Sequence, residues 1–226
     1  MLNLSLCKPA GGVYRLLCLG AHSDDIEIGC GGTVLSLLER YGNVSVCWVV
    51  FSSDEMRARE ARDSADAFLA RAREKQVVVK SYRDGFFPFV GARIKDDFEV
   101  IKREFSPDLV LTHYRDDRHQ DHRLISDLTW NTFRNHLILE YEIPKYDGDL
   151  GCPNFFVPLD EAVCSTKIRT ILARFPSQGN KQWFDEQTFL AILRLRGMEA
   201  NSPTRYAEAF YCRKAAIGFS WHGECS

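Results

Sequence analysis

No stretch of this 226-residue chain is apolar for long enough to cross a bilayer. The longest strongly apolar run, Val44 to Phe51, falls far short of the roughly 18 residues a spanning helix needs. Neither sign of charge is in excess: 29 basic against 31 acidic residues leave a formal net charge of −2. That balance speaks against a nucleic-acid partner and against attraction to an anionic membrane. The eight cysteines contain no CxxC pair and no regular spacing, so a disulfide framework is not expected. Cys18 and Cys47 sit inside apolar runs, as buried free thiols do. Near the N-terminus, Lys8 and Arg15 interrupt the apolar segment and Pro9-Ala10-Gly11-Gly12 breaks any helix, which is not the pattern of a secretory signal. The expectation is a cytoplasmic, reduced protein without a membrane anchor.

What is present is ordinary globular composition, 45% hydrophobic and 27% charged. It is enough chain to bury a core without disulfide staples. Leu16 to Gly20, Val44 to Phe51, Val77 to Val79 and Leu109 to Leu111 are short apolar runs bounded by polar residues, the signature of buried parallel strands. Helical patterns separate them: Gly31 to Tyr41, Glu55 to Glu74, and a third around Phe98 to Phe105 that Pro107 keeps out of the next strand. This alternation predicts an α/β, Rossmann-like, mostly parallel sheet with helices on both faces. After Asp121 the pattern predicts a helix over about 124–137, an irregular stretch rich in Pro and Gly, helices over 160–175 and 185–198, and a terminal strand over 207–212. There is no internal repeat and no dividing linker, so residues 1–226 are expected to form one domain with an elaborated C-terminal part.

Chemistry concentrates after the first and fourth strands. The first runs into Ala21-His22-Ser23-Asp24-Asp25-Ile26-Glu27, and the fourth into His113-Tyr114-Arg115-Asp116-Asp117-Arg118-His119-Gln120-Asp121-His122. With the usual strand order 3-2-1-4, both segments leave the carboxyl ends of strands that flank the topological switch point, where ligands bind. Imidazoles with carboxylates suit a borderline divalent ion, zinc above all, held by three protein ligands with one position open. His22 and Asp25 are three residues apart, as are His119 and His122. A set of two histidines and one carboxylate is therefore available, with Asp24 as a spare acid.

Plainer readings exist. Asp24 or Asp25 could cap a helix beginning near Gly29, and His113, His136 and His222 read as structural. Phe86, Phe87, Pro88 and Phe89 form either an apolar wall or mobile lid, or packing against the core or another subunit. Arg194, Arg196 and Arg205 read as a solvated face before a phosphate site. The rival function is a metal-nucleotide binding protein without turnover, suggested by Gly29, Gly31 and Gly32. The dinucleotide fingerprint fails because Val34 stands where its third glycine belongs. Asp24 and Asp25 would also repel a pyrophosphate. The glycines fit close helix–sheet packing instead.

The motifs Ala21-His22-Ser23-Asp24-Asp25 and His119-Gln120-Asp121-His122 resemble those of the PIG-L/LmbE family of zinc-dependent N-acetylglucosaminyl deacetylases. The resemblance implies that His22, Asp25 and His122 bind one zinc per chain, with another divalent ion such as iron left open. It implies that Asp24 is the general base, that a protonated His119 stabilises the oxyanion, and that Asp121 orients a histidine. Arg57 and Asp84 match positions that contact the substrate sugar. The implied reaction removes acetate from an N-acetyl amino sugar or its conjugate, a small-molecule partner. Ser23 replaces the commoner proline, and a homo-oligomer is left open.

Overall fold

The computed structural model describes residues 4–6 and 12–216. Its centre is one seven-stranded sheet in the order β3-β2-β1-β4-β5-β7-β6. β1 (Tyr14–Gly20), β2 (Val44–Val50), β3 (Glu74–Val79), β4 (Leu109–His113) and β5 (Leu137–Tyr141) run parallel. β7 (Tyr206–Tyr211) pairs antiparallel with both β5 and β6 (Phe155–Leu159). The Rossmann-like, mostly parallel α/β architecture and the 3-2-1-4 order expected from the alternating runs are both present.

Alternate residues of each strand serve opposite faces of the sheet. Leu16 and Cys18 of β1 join the core beneath α1 (Asp25–Tyr41), α2 (Glu55–Phe68), α5 (Glu161–Arg174) and α6 (Glu186–Glu199). Leu17 and Leu19 join the other core, beneath α3 (Gly91–Glu104) and α4 (Gln120–Thr132). Among the described residues, no helix is long and apolar enough to cross a membrane. Cys18 and Cys47 are buried free thiols, as expected.

Several boundaries differ from the sequence expectation. The second helix ends at Phe68 rather than Glu74, because Glu74 already pairs with Ser45 in β3. Glu74, Lys75 and Gln76 look like a polar helix end, but they lie on an exposed edge strand, where charge blocks further pairing. The helix expected over 124–137 begins earlier, at Gln120, and stops at Thr132, since Leu137–Tyr141 is recruited as β5 beside β4. β6 lies in the stretch expected to be irregular. Its Pro158 is tolerated because β6 is the sheet's outer strand.

The first helix begins at Asp25, four residues before Gly29. Its glycines pack as expected. A Cβ on Gly29 would stand 2.1 Å from the Tyr141 ring, one on Gly31 2.6 Å from Phe68, and one on Gly32 2.5 Å from Leu159. The arginine cluster is corrected as well. Arg196 is neither solvated nor a phosphate ligand: it is buried and bonds Glu142 through Nε and Nη2 at 2.6 and 2.9 Å. Its side chain points back under the β5 end, so the charge is met inside the fold. Phe87 is core, whereas Phe86 and Phe89 are exposed. His222 lies outside the described residues.

Candidate active site

β1 and β4 are adjacent and parallel, so their carboxyl ends open into one crevice on diverging connections. His22 lies in the turn after β1, and Asp25 is the first residue of α1. His119 is the N-cap of α4, which places His122 in its first turn. Two segments about a hundred residues apart thus face each other. Asp24 occupies the N-cap position of α1 but makes no side-chain capping bond, and Asp25 turns back to accept the His22 N–H at 2.6 Å. Neither acid is used as a helix cap.

His22 Nδ1, His122 Nε2 and Asp25 Oδ2 form a triangle with edges of 3.1, 3.3 and 3.5 Å. Ligands about 2.0–2.1 Å from a tetrahedral zinc stand about 3.3–3.4 Å from one another, so the triangle has the right size. Neighbouring carboxylates also set the tautomers. Asp117 Oδ2 accepts the His122 Nδ1–H at 2.9 Å. His22 Nε2 lies 3.0 Å from Asp84 Oδ1 and 3.4 Å from Asp121 Oδ2, charge contacts without hydrogen-bond alignment that favour its proton on that nitrogen. The lone pairs of His22 Nδ1 and His122 Nε2 are then aimed at each other and at a carboxylate oxygen. Three converging lone pairs repel one another unless a cation lies between them.

The electrostatics agree. Burial opposes a charge on His22, but Asp25 and bonds to Asp121 and Asp84 outweigh it and raise its pKa well above the ordinary value. Without metal, a proton on His22 supplies the missing positive charge. Burial raises Asp25, yet His122, His113 and His22 together hold its carboxyl well below the usual range. His122 is pushed down to about 4 by burial and then by His113, so it stays neutral, as a ligand must.

Other groupings of these residues do not offer the same set. His22, Asp84, His119 and Asp121 lie close together, but the proton on His22 Nε2 faces that side. His119 Nδ1 accepts the Asp121 N–H at 3.2 Å, so its Nε2 is an N–H donor as well. His113 Nε2 accepts the Ala21 N–H at 2.9 Å, which occupies its lone pair. Expected to be merely structural, His113 is fully buried, stacked 3.9 Å from the His122 ring and 3.2 Å from Asp25 Oδ2.

A cavity of about 630 Å³ opens above the triangle, lined in part by Asp24, Arg57, Asp84, His119 and Trp183. All eight residues singled out from the sequence gather in or beside this crevice. Asp24 Oδ1 accepts from Arg57 Nη2 at 2.9 Å. Burial raises its pKa and the Arg57 charge opposes that rise. Arg57 also bonds Ser177 Oγ at 3.1 Å, so much of its guanidinium is committed within the protein. Asp84 is exposed, and its bond with His22 lowers its pKa to about 2.

Asp121 is fully buried and accepts Gly85 N–H at 2.6 Å and Phe87 N–H at 3.1 Å while facing His22. It therefore clamps the 85–87 turn as well as a histidine. His119 Nδ1 accepts the Asp121 N–H, which leaves its Nε2–H as the free donor of the ring, and burial first, then the His22 charge, lowers its pKa. Sequence reasoning passed over Asp117, the carboxylate behind His122. Its one signal was position, two residues before His119 in the same loop. Lys145, which pairs with Asp117, carried no motif at all.

These features define an α/β protein with a metal-type crevice at the switch point of its sheet. The sequence model of PIG-L, described as GlcNAc-PI de-N-acetylase, matches residues 17–133, just over half of the chain and the whole of the crevice just described except its C-terminal wall. The chain belongs to the PIG-L family. Its fold resembles N,N'-diacetylchitobiose deacetylase from Pyrococcus horikoshii (TM-score 0.67, 22% identity, 87% of this chain and 82% of that one). It also resembles teicoplanin deacetylase Orf2, solved in a zinc-inhibited form (TM-score 0.66, 16% identity, 88% and 97%). GalB, the 4-carboxy-2-hydroxymuconate hydratase from Pseudomonas putida KT2440, shares the fold too (TM-score 0.67, 17% identity, 92% and 100%). At these identities the likeness concerns architecture alone, and a hydratase among the relatives underlines that fold does not fix reaction.

Proposed function

We propose that this chain is a metal-dependent hydrolase that removes the N-acetyl group from an amino sugar or amino-sugar conjugate, with zinc held by His22, Asp25 and His122. The observation that carries the reading is a surplus. Beyond three converging metal-type ligands, the same cavity presents a carboxylate, Asp24, and an imidazole N–H donor, His119, that a binding site has no need of. Zinc bound there would act as a Lewis acid and lower the pKa of a water toward about 7.

The chain's own residues do the rest. Asp24, steadied through Oδ1 by Arg57, takes a proton from the attacking water as its oxygen bonds the acyl carbon. The Nε2–H of His119 donates to the acyl oxygen as negative charge develops there. Asp24 returns the proton to the departing nitrogen, so water adds across the broken C–N bond to leave acetate and a free amine. Asp121 holds the His22 ring and the 85–87 turn, and Asp84, which lines the cavity, is the residue proposed to meet the sugar. A metal-nucleotide site is disfavoured, because Gly29, Gly31 and Gly32 are spent on packing inside α1 and Asp24 with Asp25 faces the approach.

The test is an acetate-release screen of N-acetylglucosamine derivatives, with metal content measured on the same preparation. Zinc-dependent acetate from at least one compound is expected, abolished in His122→Ala together with the metal. Tight zinc with no acetate from a broad panel, alongside unaltered binding of a metal-nucleotide, would overturn the reading.

A further inference from the structure

One buried cation serves neither the core nor the chemistry assigned above. Lys145 lies just past β5, on the segment leading to β6, and its side chain is 10% exposed. Its Nζ donates to Asp117 Oδ2 at 2.9 Å, to Asp149 Oδ2 at 2.5 Å and to the Ile143 carbonyl at 3.4 Å. The Asp117 oxygen it takes is the one that His122 Nδ1 also faces at 2.9 Å. The other Asp117 oxygen accepts the His119 N–H at 2.7 Å, and Asp149 Oδ2 accepts the Arg118 N–H at 2.7 Å.

Burying an ammonium is costly unless it is fully paired. Asp149, four residues further along the same connection, pairs with the ammonium locally, whereas the bond to Asp117 reaches across to the loop between β4 and α4. Here the cation is placed on the oxygen that orients a ligand histidine, and with two donors on one oxygen the carboxylate can swing only by losing one of them. Residues behind a metal-binding histidine fix its tautomer and ring orientation.

We infer that Lys145 is a positioning residue for the metal centre, acting on His122 through Asp117. This rests on the assignment of His22, Asp25 and His122 as the metal ligands. Lys145 pins the Asp117 carboxylate, Asp117 holds the His122 Nδ1–H, and His122 Nε2 stays aimed at His22 Nδ1 and Asp25 Oδ2. Because Lys145 itself lines the cavity together with Tyr146 and Asp147, the same link ties the cavity wall to the grip on the metal.

The experiment is a double-mutant cycle on the full chain, read as zinc affinity in competition with a chelator. Lys145→Met keeps the stem and removes the charge, and Asp117→Asn removes its target. Lys145→Met should weaken zinc by about 10-fold, the lower end for residues behind a ligand. In the Asp117→Asn background the same change should cost less than about 2-fold, since the path is already cut. Lys145→Arg, which keeps a donor cation, should recover most of the loss. Wild-type zinc affinity in Lys145→Met, or losses that multiply fully in the double mutant, would overturn the inference. If Lys145→Met does not fold, Asp149→Asn is read in its place: it removes the ammonium's second anchor, and its effect on zinc must likewise vanish without Asp117. His122→Ala run alongside separates the two claims. If it keeps wild-type zinc, the ligand assignment fails; if it loses zinc while Lys145→Met does not, only the role of Lys145 fails.

Discussion

Behind the proposed metal ligands, α1 is held by a buried ion pair whose removal has a calculable cost. Lys167 Nζ bonds Glu208 Oε1 at 2.6 Å, with both side chains 2% exposed. The ammonium also takes the Ile28 carbonyl at 2.7 Å, and Glu208 accepts the Gly32 N–H at 2.8 Å and the Thr33 N–H at 2.7 Å. The pair is thus spliced into the backbone of α1, one turn beyond Asp25. Breaking a buried pair from one side costs about 3–5 kcal/mol, because the remaining charge stays buried.

The structure ranks the two sides. Lys167→Met leaves Glu208 with two amide donors, so it should fall near about 3 kcal/mol. Glu208→Leu leaves an ammonium with a single carbonyl and two amides without their acceptor, so it should approach about 5 kcal/mol. At about 2–4 °C per kcal/mol for a chain of this size, Tm should drop by about 6–20 °C. The double variant should be more stable than Glu208→Leu alone, since Ile28 and Gly32 can then close an ordinary helical bond. Urea unfolding of the four proteins, all in the same metal state, measures this. A Lys167→Met more costly than Glu208→Leu, or a double variant as costly as the sum, would refute the splice argument.

Three further outcomes are expected. Glu27 is fully buried, and burial pushes its pKa up to about 8 against an opposing contact with Ser64. Between an unfolded value near 4.5 and that raised value the native state holds a proton the unfolded state lacks, so stability falls by about 1.4 kcal/mol per unit as pH rises. Glu27→Gln should remove that component, and unfolding curves of the two proteins from pH 5 to 8 that stay parallel would contradict it. Gly29→Ala drives a methyl into the Tyr141 ring, whose hydroxyl bonds the Leu19 carbonyl at 2.6 Å. It should cost about 3 kcal/mol, the upper end for overpacking, and an unchanged denaturation midpoint would show that the ring yields freely. Asp24→Asn should lower kcat by about 10²–10⁴ and His119→Ala by about 10²–10³, both with full zinc content. Loss of zinc in either would move that residue into the ligand set.

The alternating half of the fold was legible in the chain because β1, β2 and β4 are buried along nearly their whole length. Each carries an apolar run, as β2 does from Val46 to Val50. The regions misread share a cause. Glu74–Gln76, Leu137–Tyr141 and Phe155–Leu159 become strands only because a neighbour offers a free edge, and pairing partners leave no trace in local periodicity.

The same division runs through the site. The chain by itself determined which chemistry was available, since His22, Asp24, Asp25, His119, Asp121 and His122 occur in two motifs whose spacing is a local property of a turn and a helix start. The tertiary structure alone decided which atoms point where. The proton on His22 is directed by Asp84 and Asp121 from other segments, and burial, ahead of the His22 charge, lowers the pKa of His119. Lys145 and Arg57 matter through oxygens of residues 28 and 33 positions away in the chain. A side chain's type is written in the sequence, but its tautomer, charge and partners belong to the field around it, and that field exists only once distant segments have packed together.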